Sequence, residues 1–315
     1  MSAHIIEIKD LVKDYRTTRA VDHLNLNIKK GEIFGLLGPN GAGKTTVILS
    51  LLGLSEPTSG SVTVGGFDAT SQPLEVKKIT GYLPDEVGFS DNSTGLENLV
   101  YTAMLNGIPR EEAVESAREL LKLVGLEEAG EQKTKTYSKG MNQRLGLADV
   151  LIKDPEIMVL DEPTLGIDPK GILDFLELIR NLSKEKGITV LLSSHLLHQV
   201  QKICDRVGIL VDGKLLAAGN VHELADELFG NKDTSITAEV SPVTDDLLEA
   251  LRREKSLKEV QRNNGTIVIK GAKEAAPLIT QTIVQKGGKL YRLSYQEYGL
   301  DEIYQQYFEG GGRNG

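Results

Sequence analysis

The chain has 315 residues, 45 of them acidic and 36 basic, for a formal net charge of −9; that length predicts about two domains. The acidic balance supplies no overall positive field and argues against a nucleic-acid partner. No apolar run approaches the ~18 to 20 residues that span a bilayer, Met1-Ser2-Ala3-His4 lacks a signal-peptide pattern, and a lone cysteine excludes an intrachain disulfide and suits a reducing, cytosolic setting.

From His4 to Ile28 apolar and polar residues alternate, as in Ile6-Glu7-Ile8 and Leu24-Asn25-Leu26-Asn27-Ile28, which predicts short antiparallel strands with one wet face. Tyr15 lies between these strands, an aromatic ring that either stacks on a nucleotide base or packs half-buried in the core. The apolar run Ile33-Phe34-Gly35-Leu36-Leu37 then enters Gly38-Pro39-Asn40-Gly41-Ala42-Gly43-Lys44-Thr45-Thr46, followed by Val47-Ile48-Leu49-Ser50-Leu51-Leu52. A buried strand, a glycine-rich turn and a helix in that order make the phosphate-binding loop called Walker A. Glycines let several backbone N–H groups face one anion, and the helix adds the positive end of its dipole. Lys44 is then a point charge for the outer phosphates of a nucleotide, and the Thr45 hydroxyl a ligand for the Mg²⁺ that accompanies them.

Beyond the loop, Pro57-Thr58-Ser59-Gly60 and Gly65-Gly66 are turns around a strand Ser61 to Val64, and a strand Ile79 to Leu83 stops at Pro84. Leu96, Leu99, Val100 and Ala103 have helical spacing, and Glu111 to Val124 repeats it, which predicts a helical insert over about 85–155. The apolar run Ile157-Met158-Val159-Leu160 reads as a parallel strand covered on both faces. It ends in Asp161-Glu162, at the strand end where ligands bind in open α/β sheets. In this Walker B arrangement Asp161 holds Mg²⁺ and Glu162 polarises the water that attacks the γ-phosphate. After a helix Lys170 to Lys186, the strand Ile188 to Leu192 delivers Ser193-Ser194-His195 to the same kind of strand end, where an imidazole can contact a phosphate or orient water. Cys204, at helical spacing from Leu197 and Val200, is expected to be buried. A hairpin Arg206–Ala218 and a helix Val221 to Leu228 close a first domain, 1–230.

Gly230-Asn231-Lys232-Asp233 is a linker pattern. Beyond it, over 231–315, strands, helices and turns follow in the order β-α-β-β-α-β, that of a small α+β ferredoxin-like sandwich. A final helix Leu300 to Phe308 and a glycine-rich tail, expected to be disordered, complete the chain. This second domain carries no catalytic constellation, which leaves regulation or assembly as its role.

Taken together, these residues resemble the ATP-binding-cassette (ABC) ATPases over nearly the whole of 4–229. The decisive piece is Tyr137-Ser138-Lys139-Gly140-Met141-Asn142-Gln143-Arg144, similar to the family signature Leu-Ser-Gly-Gly-Gln, with Ser138 and Gly140 matching. The resemblance implies an α/β P-loop NTPase domain with an antiparallel β subdomain and a helical insert. It implies ATP and Mg²⁺ as cofactors, an adenine-stacking role for Tyr15, and a γ-phosphate contact for His195. It places Asp168 of Leu165-Gly166-Ile167-Asp168 in the D-loop, and Asp85 where the family carries a glutamine that reaches the metal and the attacking water. It implies that Ser138 and Gly140 close over the nucleotide of a second ATPase subunit, in a homodimer or heterodimer. A single cassette with the wording Tyr-Leu-Pro and Tyr-Ser-Lys-Gly-Met resembles the ATPase subunit of exporters whose membrane helices lie on a separate polypeptide. Such a subunit is cytoplasmic and peripheral on the cytoplasmic face of the membrane through that partner. The alternative is a soluble cassette acting on ribosomes or nucleic acid, although such relatives carry two cassettes or a long coiled coil.

Overall fold

The alternation at the N-terminus produces two long strands, β1 (His4–Tyr15) and β2 (Thr18–Lys29), paired antiparallel with Ile6, Ile8 and Leu26 turned inward. The computed structural model describes residues 4–229, 234–263, 266–271, 273–295 and 300–311. β3 (Ile33–Leu37) is buried at every residue and runs through the glycine-rich loop into α1 (Lys44–Leu51). β4 (Ser59–Val64) and β5 (Phe67–Asp68) complete the first sheet in the order β2-β1-β4-β5. Val47, Ile48 and Leu51 of α1 share one buried cluster with Ile6 and Ile8 of β1 and Phe34 and Leu36 of β3. The helix that begins at the loop is therefore anchored by apolar burial against both sheets.

α2 (Pro73–Ile79) precedes β6 (Thr80–Leu83). Ile79 thus ends a helix instead of starting the strand, a correction to the pattern reading. Pro73 pre-sets the first helical turn, and Glu75 and Lys77 and Lys78 sit at the ends the helix dipole favours.

The helical insert holds α3 (Gly95–Leu105), α4 (Arg110–Leu123), a short 3₁₀ turn (Thr134–Thr136) and α5 (Lys139–Leu151). A reciprocal cap starts α3: Glu97 N donates to Thr94 Oγ1 at 3.1 Å and Thr94 N donates to Glu97 Oε2 at 2.7 Å.

β7 (Ile157–Asp161), α6 (Pro169–Lys186), β8 (Thr189–Ser194), α7 (Leu197–Val200), β9 (Arg206–Val211), β10 (Lys214–Gly219) and α8 (Val221–Phe229) follow. The second sheet has the order β10-β9-β3-β8-β7-β6, parallel except for the β9–β10 hairpin. β3, β7 and β8 are adjacent and parallel, so the phosphate loop, Asp161 and Ser194 leave the same edge of the sheet. Cys204 lies beneath β3, and burial pushes its thiol well above the usual range.

A second compact unit, His222–Glu309, has its own core. It contains β11 (Thr234–Ser241), α9 (Asp245–Arg253), β12 (Leu257–Asn263), β13 (Thr266–Gly271), α10 (Ala276–Gln285), β14 (Lys289–Tyr295) and α11 (Leu300–Gly311). The strands pair antiparallel in the order β12-β13-β11-β14. The division by contacts falls at Val221, which groups α8 with this unit and not with the first domain as the sequence suggested. Glu227 of α8 sits close enough to Tyr307 of α11 to help raise its hydroxyl pKa, behind the larger effect of burial. The linker residues 230–233 and the turn residues 264–265 lie outside the described residues. α11 runs on to Gly311, so the tail begins as helix, and 312–315 are again outside the described part. No helix among the described residues is long and apolar enough to cross a membrane.

Candidate functional site

The phosphate loop takes its shape from close backbone approach. Gly43 caps α1 with φ 103°, a left-handed conformation that costs glycine little, and a Cβ there would stand 2.4 Å from the Ala20 carbonyl oxygen. A Cβ on Gly38 would stand 2.3 Å from the carbonyl oxygen of Leu210. No side chain caps the first turn of α1 and no acidic residue occupies it, which leaves its positive end for an anion.

Lys44 lies folded over its own loop and is almost fully buried. Its ammonium donates to the carbonyls of Gly38 at 2.8 Å and Pro39 at 3.2 Å. It also stands 3.1 Å from Glu162 Oε1, a charge contact in which that oxygen forms no hydrogen bond. The other oxygen of Glu162 faces His195 Nδ1 at 2.8 Å. Lysine, carboxylate and imidazole thus form one continuous line.

A second line runs through Asp161, only 2% exposed at the end of β7. Thr45 Oγ1 donates to its Oδ2 at 2.9 Å, and Ser193 Oγ donates to its Oδ1. Ser193 also accepts from Glu162 N at 3.0 Å, which holds Glu162 at φ 47°, a backbone region rarely taken by a residue with a side chain. Ser193 was not singled out in the sequence. Its role comes from strand register, since β7 and β8 pair Asp161 with Ser193.

Lys44, Thr45, Asp161, Glu162 and His195 line a cavity of about 390 Å³, together with Ala20, Pro39, Asn40, Gly41, Gly43, Thr46, Asp85 and Leu165. Burial, with Asp161 and Asp85 nearby, pushes the Tyr82 hydroxyl beside this wall up to about 12. The buried Asp161 is bonded by two hydroxyls and has no basic side chain at ion-pair distance among the described residues. A buried carboxylate left without a positive partner fits a metal cation beside Thr45. No cluster of three or more His, Cys, Asp or Glu residues that could hold a metal ion alone occurs among the described residues, so phosphate oxygens would have to complete the coordination.

Six predicted residues do not line the cavity: Gly38 and Ala42 of the loop, and Tyr15, Ser138, Gly140 and Asp168. Tyr15 is 45% exposed, with its hydroxyl 3.2 Å from Ser55 Oγ and Lys13 Nζ 4.9 Å from its ring centroid. Ser138 caps α5, accepting from Met141 N at 3.2 Å, and Asp168 caps α6, accepting from Gly171 N at 3.1 Å. Gly140 lies beside Ile167, and Lys139 folds across Gly166, so the first turn of α5 and the 165–168 loop form one joined surface.

The family described as ABC transporter matches residues 21–165. The ATP-binding protein YhcH of Bacillus subtilis, described as an uncharacterized ABC transporter ATP-binding protein, is 35% identical over 95% of this chain and 94% of its own. The chain belongs to the ATP-binding proteins of ABC transporters. The bacitracin transport ATP-binding protein BcrA of Bacillus licheniformis is 44% identical over 67% of this chain and 68% of its own. The ATP-binding cassette MJ0796, solved as a dimer in a post-hydrolysis state bound to ADP and Pi, superimposes with a TM-score of 0.63. It is 28% identical and covers 68% of this chain and 98% of its own. An ABC ATP-binding subunit binds ATP with Mg²⁺ and hydrolyses it, and that is the activity of this chain. The alternative of a cassette acting on ribosomes or nucleic acid is not favoured by this likeness to transporter subunits.

Proposed function

We propose that this subunit hydrolyses ATP at the interface of two cassettes and drives an exporter whose membrane helices lie on a separate polypeptide. The observation that carries the reading is the continuous arrangement of Lys44, Glu162 and His195 beside Thr45, Asp161 and Ser193. Lys44 and the N–H groups at the start of α1 bind the outer phosphates of ATP, with Gly38 to Thr46 as the cradle. Thr45 and Asp161 hold Mg²⁺, which when bound neutralises charge on the phosphate oxygens. Glu162 polarises the attacking water, and His195 holds the Glu162 carboxylate in line and contacts the γ-phosphate. Asp85 borders the same cavity and contributes a carboxylate toward metal or water. Tyr15 offers its ring to the adenine.

Ser138 and Gly140, on the joined surface that Asp168 helps to shape, close over the nucleotide of a second subunit. ATP touching both subunits shifts the population toward the dimer, and hydrolysis removes that preference. Tyr101 and Leu105 of α3 are large apolar side chains left exposed on the helical insert, which supports docking of the membrane partner there. The likeness to BcrA, a bacitracin transport ATP-binding protein, supports an antibiotic-like molecule as cargo; outward transport and a place on the cytoplasmic face of the membrane belong to the same proposal. The second unit, 231–315 in the sequence reading, regulates or assembles the transporter. Glu162→Gln tests the catalytic assignment: it is expected to keep ATP binding and lower kcat by roughly 10² to 10⁴. Undiminished turnover would remove Glu162 from that role.

A further inference from the structure

We propose that Gln143 is a positioning residue for the reaction, setting where the Asp85 carboxylate falls on the wall of the nucleotide cavity. This rests on the reading of that cavity given above. Gln143 is 1% exposed, on the same face of α5 as the buried Gly146, Leu147 and Val150. A buried amide is costly unless its groups are bonded, and a leucine or methionine would fill the same space without that cost. The Gln143 amide is only half satisfied. Nε2 donates to the main-chain carbonyl of Asp85 at 3.4 Å, and Oε1 has no hydrogen-bond partner among the described residues. The polar group is therefore spent on one contact, and that contact is with the residue that lines the cavity.

The packing on either side makes the contact decisive. A Cβ on Gly146 would stand 2.4 Å from Leu83 Cδ1 and 3.1 Å from Val87 Cγ2, and one on Gly81 would stand 2.5 Å from Val150 Cγ1. α5 thus lies directly against β6 and the segment that follows, gripping it at Leu83 and Val87 while Gln143 holds the carbonyl between them. The Asp85 carboxylate is itself tied to the backbone, with Oδ1 accepting from Glu86 N at 2.9 Å. Aspartate is one methylene shorter than the glutamine usual in the family, so main-chain placement, not side-chain reach, decides where its oxygens point. The same helix begins at Ser138, so the wall of one nucleotide cavity and the surface offered to a second subunit are carried by one rigid element.

The test is a double-mutant cycle on the full chain, measuring steady-state ATPase with Gln143→Met, Asp85→Asn and the double variant. Gln143→Met keeps the volume and removes the amide. It is expected to lower kcat about tenfold while KM for ATP stays within about twofold. Asp85→Asn is expected to lose a similar amount, and the double variant no more than Asp85→Asn alone. Gln143→Leu, which also removes the donor without burying a charge, should give the same non-additive result and serves if the methionine variant does not fold. Multiplying losses, a Gln143→Met loss beside an Asp85→Asn enzyme of wild-type kinetics, or a Gln143→Met enzyme of wild-type rate would each overturn the proposal. A wild-type chain without turnover would instead strike at the ATPase reading.

Discussion

Ser193 shows how much of the site's order depends on one hydroxyl. It donates to Asp161, accepts from Glu162 N, and so links the two carboxylates while holding one of them in a strained backbone conformation. Groups that orient a metal ligand typically matter by 10- to 100-fold. Ser193→Ala is therefore expected to lower kcat about tenfold and raise the Mg²⁺ concentration for half-maximal turnover by a similar factor. A magnesium titration of the ATPase rate checks both, and an unchanged curve would detach Ser193 from the site. Lys44, Thr45, Asp161 and Glu162 were legible in the sequence because phosphate and metal chemistry demands those residue types at those spacings. Ser193 was not, because its part is set by the pairing of two strands that are far apart in the chain.

The elements that carry the site were legible where apolar periodicity was long enough to read. β3 and β7, covered on both faces, and α6, with Asp168 before it and Gly187 after it, are all found close to where the pattern places them. α2 was missed because seven residues span barely two turns and Leu74 is exposed while Val76 is buried, which leaves little periodicity to detect. Contacts group α8 with the second unit, and sequence spacing does not announce contacts made with residues far along the chain. Within the helical insert the start of α3 depends on the Thr94–Glu97 cap. Thr94→Ala removes it and is expected to cost about 1 kcal/mol. Urea unfolding of the variant against wild type measures the loss, and equal midpoints would mean that tertiary packing alone defines this helix end.

For the whole molecule, the features missing from one chain's cavity are as informative as those it contains. Asp161, Glu162, Lys44 and His195 converge, whereas Ser138, Gly140 and Asp168 lie on a separate joined surface. A monomer that kept both groups for its own nucleotide would bring them together. In the proposed assembly two cassettes related by a two-fold axis would satisfy both groups at once, which would explain why one sequence carries each half. The most direct measurement is the mass in solution of the Glu162→Gln variant, by light scattering on a sizing column, with Mg²⁺-ATP, with Mg²⁺-ADP and without nucleotide. A species of twice the monomer mass is expected with Mg²⁺-ATP alone, and monomer in the other two conditions. A variant that binds ATP yet remains monomeric would contradict the proposed assembly.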